Sequence, residues 1–358
     1  MGLKARIRLD AVAEGHAGFR FPSPPTTRFG EARAFRDALV QQRDHLALLD
    51  AAKVLKAVDA DGCIDSTAYR LTSAAFGDLC AVSTHGTTGL PSRWCRQLAA
   101  RNEALALEVL HDHIAEHLSG ADRQLVIDTA TNFVLGLVGA TSYHLIHNVE
   151  ILDLVLSVPG FTFTNGWLVG GRIRLTCVRD GKVIEPQKGD IVRTGVNCEN
   201  AVNGDRGVHV TDYAERLVCT NGMVRPERQH AETVLHSDAG IHHRVPKAIV
   251  AAAKRSEAMR PLIERAAKLH LDAEGHKKVG AYIQSPQQGG NPRLLEAATK
   301  AAQVYAVRAG REDDDLTLWD YANGVTEAAH AAPSLTRRTE LEVLGFRLLE
   351  QFAAGRAS

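Results

Sequence analysis

Between Phe161 and Cys219 the chain repeats one local pattern, a run rich in β-formers followed by turn chemistry. The runs are Phe161–Val169, Arg172–Val178, Asp190–Cys198 and Gly207–Val210, with a fifth over Arg216–Cys219. Arg172, Ile173, Arg174 and Leu175 alternate polar and apolar, as one half-exposed strand does. Asp180-Gly181 and Asn203-Gly204 are dipeptides of the kind that close hairpins. This block reads as an antiparallel meander. Residues 131–140 (TNFVLGLVGA) add a buried strand, so the sheet is expected over about 130–235.

The flanks carry helical periodicity instead. Leu39, Leu46, Leu49 and Val54 predict a helix over 31–58, and Asp61-Gly62 a turn after it. Ser66-Thr67 reads as the cap of a helix through Tyr69, Leu71, Ala75 and Leu79. Leu90-Pro91-Ser92-Arg93-Trp94 leads into another helix, through Leu98, Leu105, Val109 and Ile114, that stops near Gly120. A short helix is expected from about Asn148, closed by Pro159-Gly160. After the sheet, helices are expected over 245–271, 292–309, 315–330 and 336–354, with Pro246 in a first turn.

The fold class is therefore α+β, a central antiparallel sheet flanked by N-terminal and C-terminal helical segments. The chain divides into an irregular arm (1–30), an N-terminal helical region (31–125) and an antiparallel sheet core with C-terminal helices (126–358). The last two can form one domain.

The longest clean apolar stretch, Phe133–Ala140, is far short of the roughly 20 residues a membrane helix needs. MGLKARIRLD has no apolar core after its charges, and none of the six cysteines forms a C-x-x-C pair. These features predict a cytoplasmic protein with lone thiols and no membrane partner.

Lys plus Arg and Asp plus Glu both number 42, so bulk charge does not hold this chain to a polyanion. The charge is unevenly spread, however. From Arg244 to Lys268 seven basic residues face only Glu257 and Glu264, which leaves +5. On one continuous helix, Lys247, Lys254, Arg265 and Lys268 share a face, and such a row can track phosphates. Lys247, Lys254, Arg255, Arg265 and Lys268 are the candidate phosphate contacts on the helix. Arg206 and Arg216 are the candidates on the sheet.

Other constellations read as structural. HDHIAEH places His113 and His117 at i,i+4 but lacks H-E-x-x-H order, so it reads as a solvated polar helix face. Cys198 with His209 reads as a packed thiol and an exposed strand histidine. Glu312-Asp313-Asp314-Asp315 reads as charge favouring a helix start. No phosphate loop occurs, and no catalytic residue, metal ligand or cofactor is assigned.

The string Arg216-Leu-Val-Cys-Thr-Asn-Gly-Met223, preceded by Gly195-Val-Asn-Cys-Glu-Asn200 and Asp205-Arg206-Gly207, resembles the hallmark of a phage/plasmid-like protein family that bears a large domain of unknown function. The family's Asn-Ser-Glu-x-Gly turn is matched by Asn197-Cys198-Glu199-Asn200, with cysteine in place of serine. Gly89-Leu90-Pro91, Ser142-Tyr143-His144 through Asn148, and Leu316 through Thr326 also resemble family elements. The resemblance covers about residues 65–350 and implies a mobile-element setting without an established activity. With the basic segment it leads to the expectation of a non-enzymatic, homo-oligomeric protein that binds DNA, including single strands, in recombination, annealing or replication. The alternatives are a metal-dependent enzyme acting on nucleic acid and a protein-binding module aimed at a host factor.

Overall fold

The computed structural model describes residues 18–354, apart from 66, 84–88, 119–120, 142, 188, 217–220, 225–231, 237–239 and 333–334. It contains two sheets. The larger is built from β1 (Thr26–Phe29), β6 (Phe161–Val169), β7 (Arg172–Gln187), β8 (Asp190–Ala201), β9 (Val208–Arg216), β10 (Asn221–Val224) and β11 (Glu232–Val234). Its order is β1-β6-β7-β8-β9-β10, with β11 also on β9, and every pairing is antiparallel. The expected α+β class, a central antiparallel sheet with helices before and after it, is what the chain forms.

The alternation in β7 explains the layering. Ile173, Leu175 and Cys177 point to one face, where they join Val196, Cys198, Val208 and Val210. That face is covered by α1 (Ala32–His45), α6 (Asn148–Leu156) and α7 (Ile241–Glu257). At the far end of the same strands, Ile184, Val192 and Ala214 meet a second helical layer. It comprises α8 (Arg260–Lys268), α9 (Ala273–Gln284), α10 (Pro292–Arg308), α11 (Leu318–Ala328) and α12 (Leu335–Ala353). Arg174 and Thr176 point the other way. Along that face, α12 sets Val343 against Val178 and Tyr213.

The second sheet has the order β2-β4-β5-β3, from β2 (Leu46–Asp50), β3 (Arg70–Leu71), β4 (Arg123–Asp128) and β5 (Phe133–Gly139). Only β3 and β5 pair in parallel. The short α2 (Ala51–Val54) follows β2, while α3 (Ser73–Ala81), α4 (Ser92–Ala99) and α5 (Glu103–His117) pack on one face. The other face closes on Val202, beyond the end of β8. Tyr143 Oη donates to Val202 O at 2.6 Å and Asn203 Nδ2 to Leu135 O at 3.0 Å, so side chains stitch the two sheets together.

Several expectations need correction. Thr26–Phe29, placed in the irregular arm, is strand β1, whose backbone pairs with β6 from Thr26↔Val169 to Phe29↔Gly166. The helix expected over 31–58 stops at His45, because Leu46–Asp50 pairs with β4 rather than extending the helical period. The N-terminal region is thus helical with strands inside it. The helix after the first turn starts at Ser73 with Thr72 as its cap, Thr72 Oγ1 accepting from Ala75 N. Asn102 interrupts the next expected helix and caps α5 through Leu105 N.

Asp180-Gly181 does not close a hairpin. It lies in a bulge of β7, where pairing jumps from Val178↔Gly195 to Val183↔Arg193. The Asp180 carboxylate and N–H are tied to Thr162 Oγ1 and Gly160 O, which holds the bulge on β6. The reversal comes at Gly189, whose φ of 78° suits glycine. α9 lies outside every expected helix. Pro246 sits inside α7 rather than in its first turn, because the helix starts at Ile241.

Candidate nucleic-acid interface

The expected continuous basic helix is two helices. The α-helical hydrogen bonding is interrupted at Ala258 and Met259, whose N–H groups donate three residues back to Arg255 O and Ser256 O, and α8 restarts with Pro261 near its N-terminus. Cations before and after the break therefore do not share one helix face.

What α7 presents is narrower and cleaner. Its inner side, with Val245, Ala248, Ile249, Ala252, Ala253 and Ser256, is buried against the sheet. Its outer side exposes His243, Lys247, Val250 and Lys254, spaced by four, three and four residues, with Arg244 beside them. The only acid in the helix is Glu257, which pairs with Arg179. Lys247 and Lys254 make no ion pair among the described residues, and their seven-residue separation spans roughly 10 Å along the axis.

The other candidates are placed differently. Arg255 turns inward and donates Nε at 3.0 Å to Asp212, which is fully buried. Arg206 Nη1 donates to Glu199 at 2.6 Å. Arg216 is buried, with Nε on Asp190 Oδ1 at 2.5 Å and its guanidinium 4.3 Å from the Tyr305 ring centroid. Asp190 Oδ2 accepts from Trp319 Nε1 at 2.8 Å, so the arginine that opens the hallmark string sits inside the protein. The rest of that string lies mostly outside the described residues. Arg265 is exposed but donates Nη1 to Ala353 O at 2.9 Å, joining α8 to the end of α12. Lys268 is exposed at the last turn of α8. The fold thus gathers Lys247 and Lys254 on one surface and withdraws Arg206, Arg216 and Arg255 into carboxylate contacts.

A buried polar chain was not foreseen. His236 Nε2 donates to Asn200 Oδ1 (2.8 Å), Asn200 Nδ2 to Asn148 Oδ1 (2.8 Å), and Asn148 Nδ2 to Gln42 Oε1 (2.7 Å). Tyr143 stacks on His236 at 5.0 Å. Burial holds the His236 imidazole well below its usual pKa, at about 4, and therefore neutral. The family-like Tyr143, Asn148 and Asn200 all belong to this assembly, which ties α1, α6 and the sheet together.

The remaining constellations resolve structurally. His113 and His117 are not a solvated face. They share the buried side of α5 near Leu110 and Ile114, and His113 Nε2 meets Leu79 O at 3.1 Å. Cys198 faces the core beside Val210, while His209 lies on the opposite face, on the Glu199 register. Burial alone raises the Cys177 thiol to about 12, and burial also raises that of Cys198. The acidic run 312–315 precedes a helix whose cap is Thr317, in a capping box with Asp320. Among the described residues no three His, Cys, Asp or Glu side chains converge as a metal site. No helix there is long and apolar enough to cross a membrane.

Residues 134–344, more than half of the chain, match a family model described as a domain of unknown function, DUF932. No curated protein and no solved structure matches the chain.

Proposed function

We propose that this chain, which belongs to the DUF932 family, is a non-enzymatic DNA-binding protein of a mobile element that serves recombination, annealing or replication. The observation that carries the reading is the outer stripe of α7. It presents Lys247 and Lys254 with Arg244 and His243, while its sole acid is engaged elsewhere. A row of cations on one helix neutralises successive phosphates without reading bases, so binding is sequence-tolerant and salt-sensitive. Val250, 43% exposed, sits between the two lysines and offers an apolar contact to a sugar or base.

Such a protein works as an assembly of copies. Among the described residues the main sheet is open, with β1 at one edge and β10 and β11 at the other, an arrangement that can extend by strand pairing between protomers. Light scattering gives the assembly state directly.

Fluorescence anisotropy with labelled single- and double-stranded DNA tests the reading. The protein binds at about 50 mM salt, and a rise to about 200 mM weakens it steeply. Lys247→Ala with Lys254→Ala keeps the far-UV spectrum and lowers both affinity and salt slope, by about one unit of slope per lost contact. Absence of binding at low salt, or unchanged affinity in the double variant, refutes it.

A further inference from the structure

On the sheet face opposite α7, guanidinium groups outnumber carboxylates among the described residues. Glu342, buried on α12, is shared by two arginines. Its Oε2 accepts from Arg174 Nη2 and its Oε1 from Arg338 Nε at 2.9 Å. Glu215 accepts from Arg193 Nη2 at 2.7 Å, and the Nε of Arg193 is buried with no hydrogen-bond partner. Glu199 lies 3.9 Å from Arg174 but is occupied by Arg206.

Arg28 completes the group from the edge strand β1. It donates Nε and Nη2 to the neutral amide oxygen of Asn165, at 3.1 and 2.8 Å, and makes no ion pair among the described residues. Its guanidinium lies 5.0 Å from the Trp167 ring centroid, and that of Arg338 lies 4.7 Å from the same ring. Among the described residues Arg28, Arg174, Arg193, Arg206 and Arg338 therefore face three carboxylates, Glu199, Glu215 and Glu342, an excess of two positive charges. Burial and the neighbouring Arg338 cation lower the Arg28 pKa, against smaller opposing pulls from Tyr213, Glu215 and Glu342. Cations crowded without enough counter-charge in a half-buried place are costly unless an anion joins them.

We propose that this cluster binds a phosphate group, with exposed Arg28 as the entry contact and Arg193 and Arg338 behind it. A phosphate supplies the missing negative charge and the acceptor oxygens that planar guanidinium forks fit. The site lies on the other side of the sheet from the α7 stripe and does not depend on it. The phosphate is either a free anion or the terminal phosphate of a nucleic acid.

Thermal unfolding of the full chain in inorganic phosphate and in pyrophosphate, against chloride of equal ionic strength, tests the proposal. Both anions raise the melting temperature, pyrophosphate more. Arg28→Gln keeps the unliganded melting temperature and weakens the apparent affinity about tenfold. Lys247→Ala with Lys254→Ala changes neither. No shift beyond the chloride control at millimolar anion, or a shift identical in Arg28→Gln, overturns it. A second arm compares an oligothymidine with and without a 5′-phosphate, in the Lys247→Ala, Lys254→Ala background. Tighter binding of the phosphorylated strand that Arg28→Gln abolishes identifies a nucleic-acid end. Equal binding of the two strands, with the inorganic anions still sensitive to Arg28→Gln, identifies a free anion.

Discussion

Asp190 and Arg216 close the far end of the main sheet, with Oδ1 of the aspartate 2.5 Å from Nε of the arginine and both side chains nearly excluded from water. The second oxygen of Asp190 holds the Trp319 indole. Two strands and helix α11 thus meet on one carboxylate. Asp190→Ala leaves a buried guanidinium without its counter-charge and destabilises the protein by about 3–5 kcal/mol. Trp319→Phe removes one hydrogen bond and costs about 1–3 kcal/mol. Urea unfolding of both variants gives the ranking, and an Asp190→Ala loss no larger than that of Trp319→Phe contradicts this account.

The same pair shows what the sequence could and could not disclose. Strand and helix content follows from local periodicity, and the class and the meander are legible because Arg172–Leu175 alternates within one strand. The roles of the arginines are not local. Arg216 is answered by Asp190, 26 positions upstream, and Arg255 by Asp212, 43 upstream. Only the register of β8, β9 and α7 brings those partners together. A row of cations in sequence also ignores the break at Met259, which divides one expected face into two. Lys247 and Lys254 survive as a surface pair because both lie before that break. The phosphate-site candidate was hidden for the same reason, since Arg28, Trp167 and Arg338 come from distant parts of the chain.

Helices α10 and α11 approach so closely at Gly324 that a Cβ there would collide with the backbone oxygen of Ala298. No side-chain rotation relieves a clash with backbone. Gly324→Ala therefore forces the helices apart and costs about 1–3 kcal/mol or more, despite alanine's better helix propensity. Gly77→Ala in α3, where nothing lies within 4 Å of the added carbon, is the control, and it is neutral or mildly stabilising. Thermal melts of the two variants distinguish packing from propensity.

Thiol chemistry follows burial. Cys177 and Cys198 are fully buried with raised pKa values, so neither offers thiolate to a reagent in the native state. Cys63 is only half-buried, although burial and Asp59 also raise its pKa. Iodoacetamide labelling read by peptide mass spectrometry gives Cys63 the faster native rate, and denaturant equalises the three. Rapid native labelling of Cys198 contradicts its place in the core.

Two buried groups give stability opposite dependences on pH. Burial, reinforced by the Asp205 charge, raises Asp78 from 3.8 to about 7. The folded state then binds more protons than the unfolded one between those values, so this group's contribution falls as pH rises. His236 is lowered from 6.5 to about 4, the unfolded state binds more protons in that window, and its contribution rises with pH. In the wild type the two slopes oppose each other over most of the acid range. Asp78→Asn keeps an acceptor for Leu137 N and removes the falling component. Its stability relative to wild type grows from about pH 4 to 7 and reaches roughly 2–4 kcal/mol. His236→Gln removes the rising component, so its stability relative to wild type declines from about pH 4 to 6.5. Urea midpoints across this range check both signs. A relative stability of Asp78→Asn that does not change with pH shows that Asp78 is not held protonated by its surroundings.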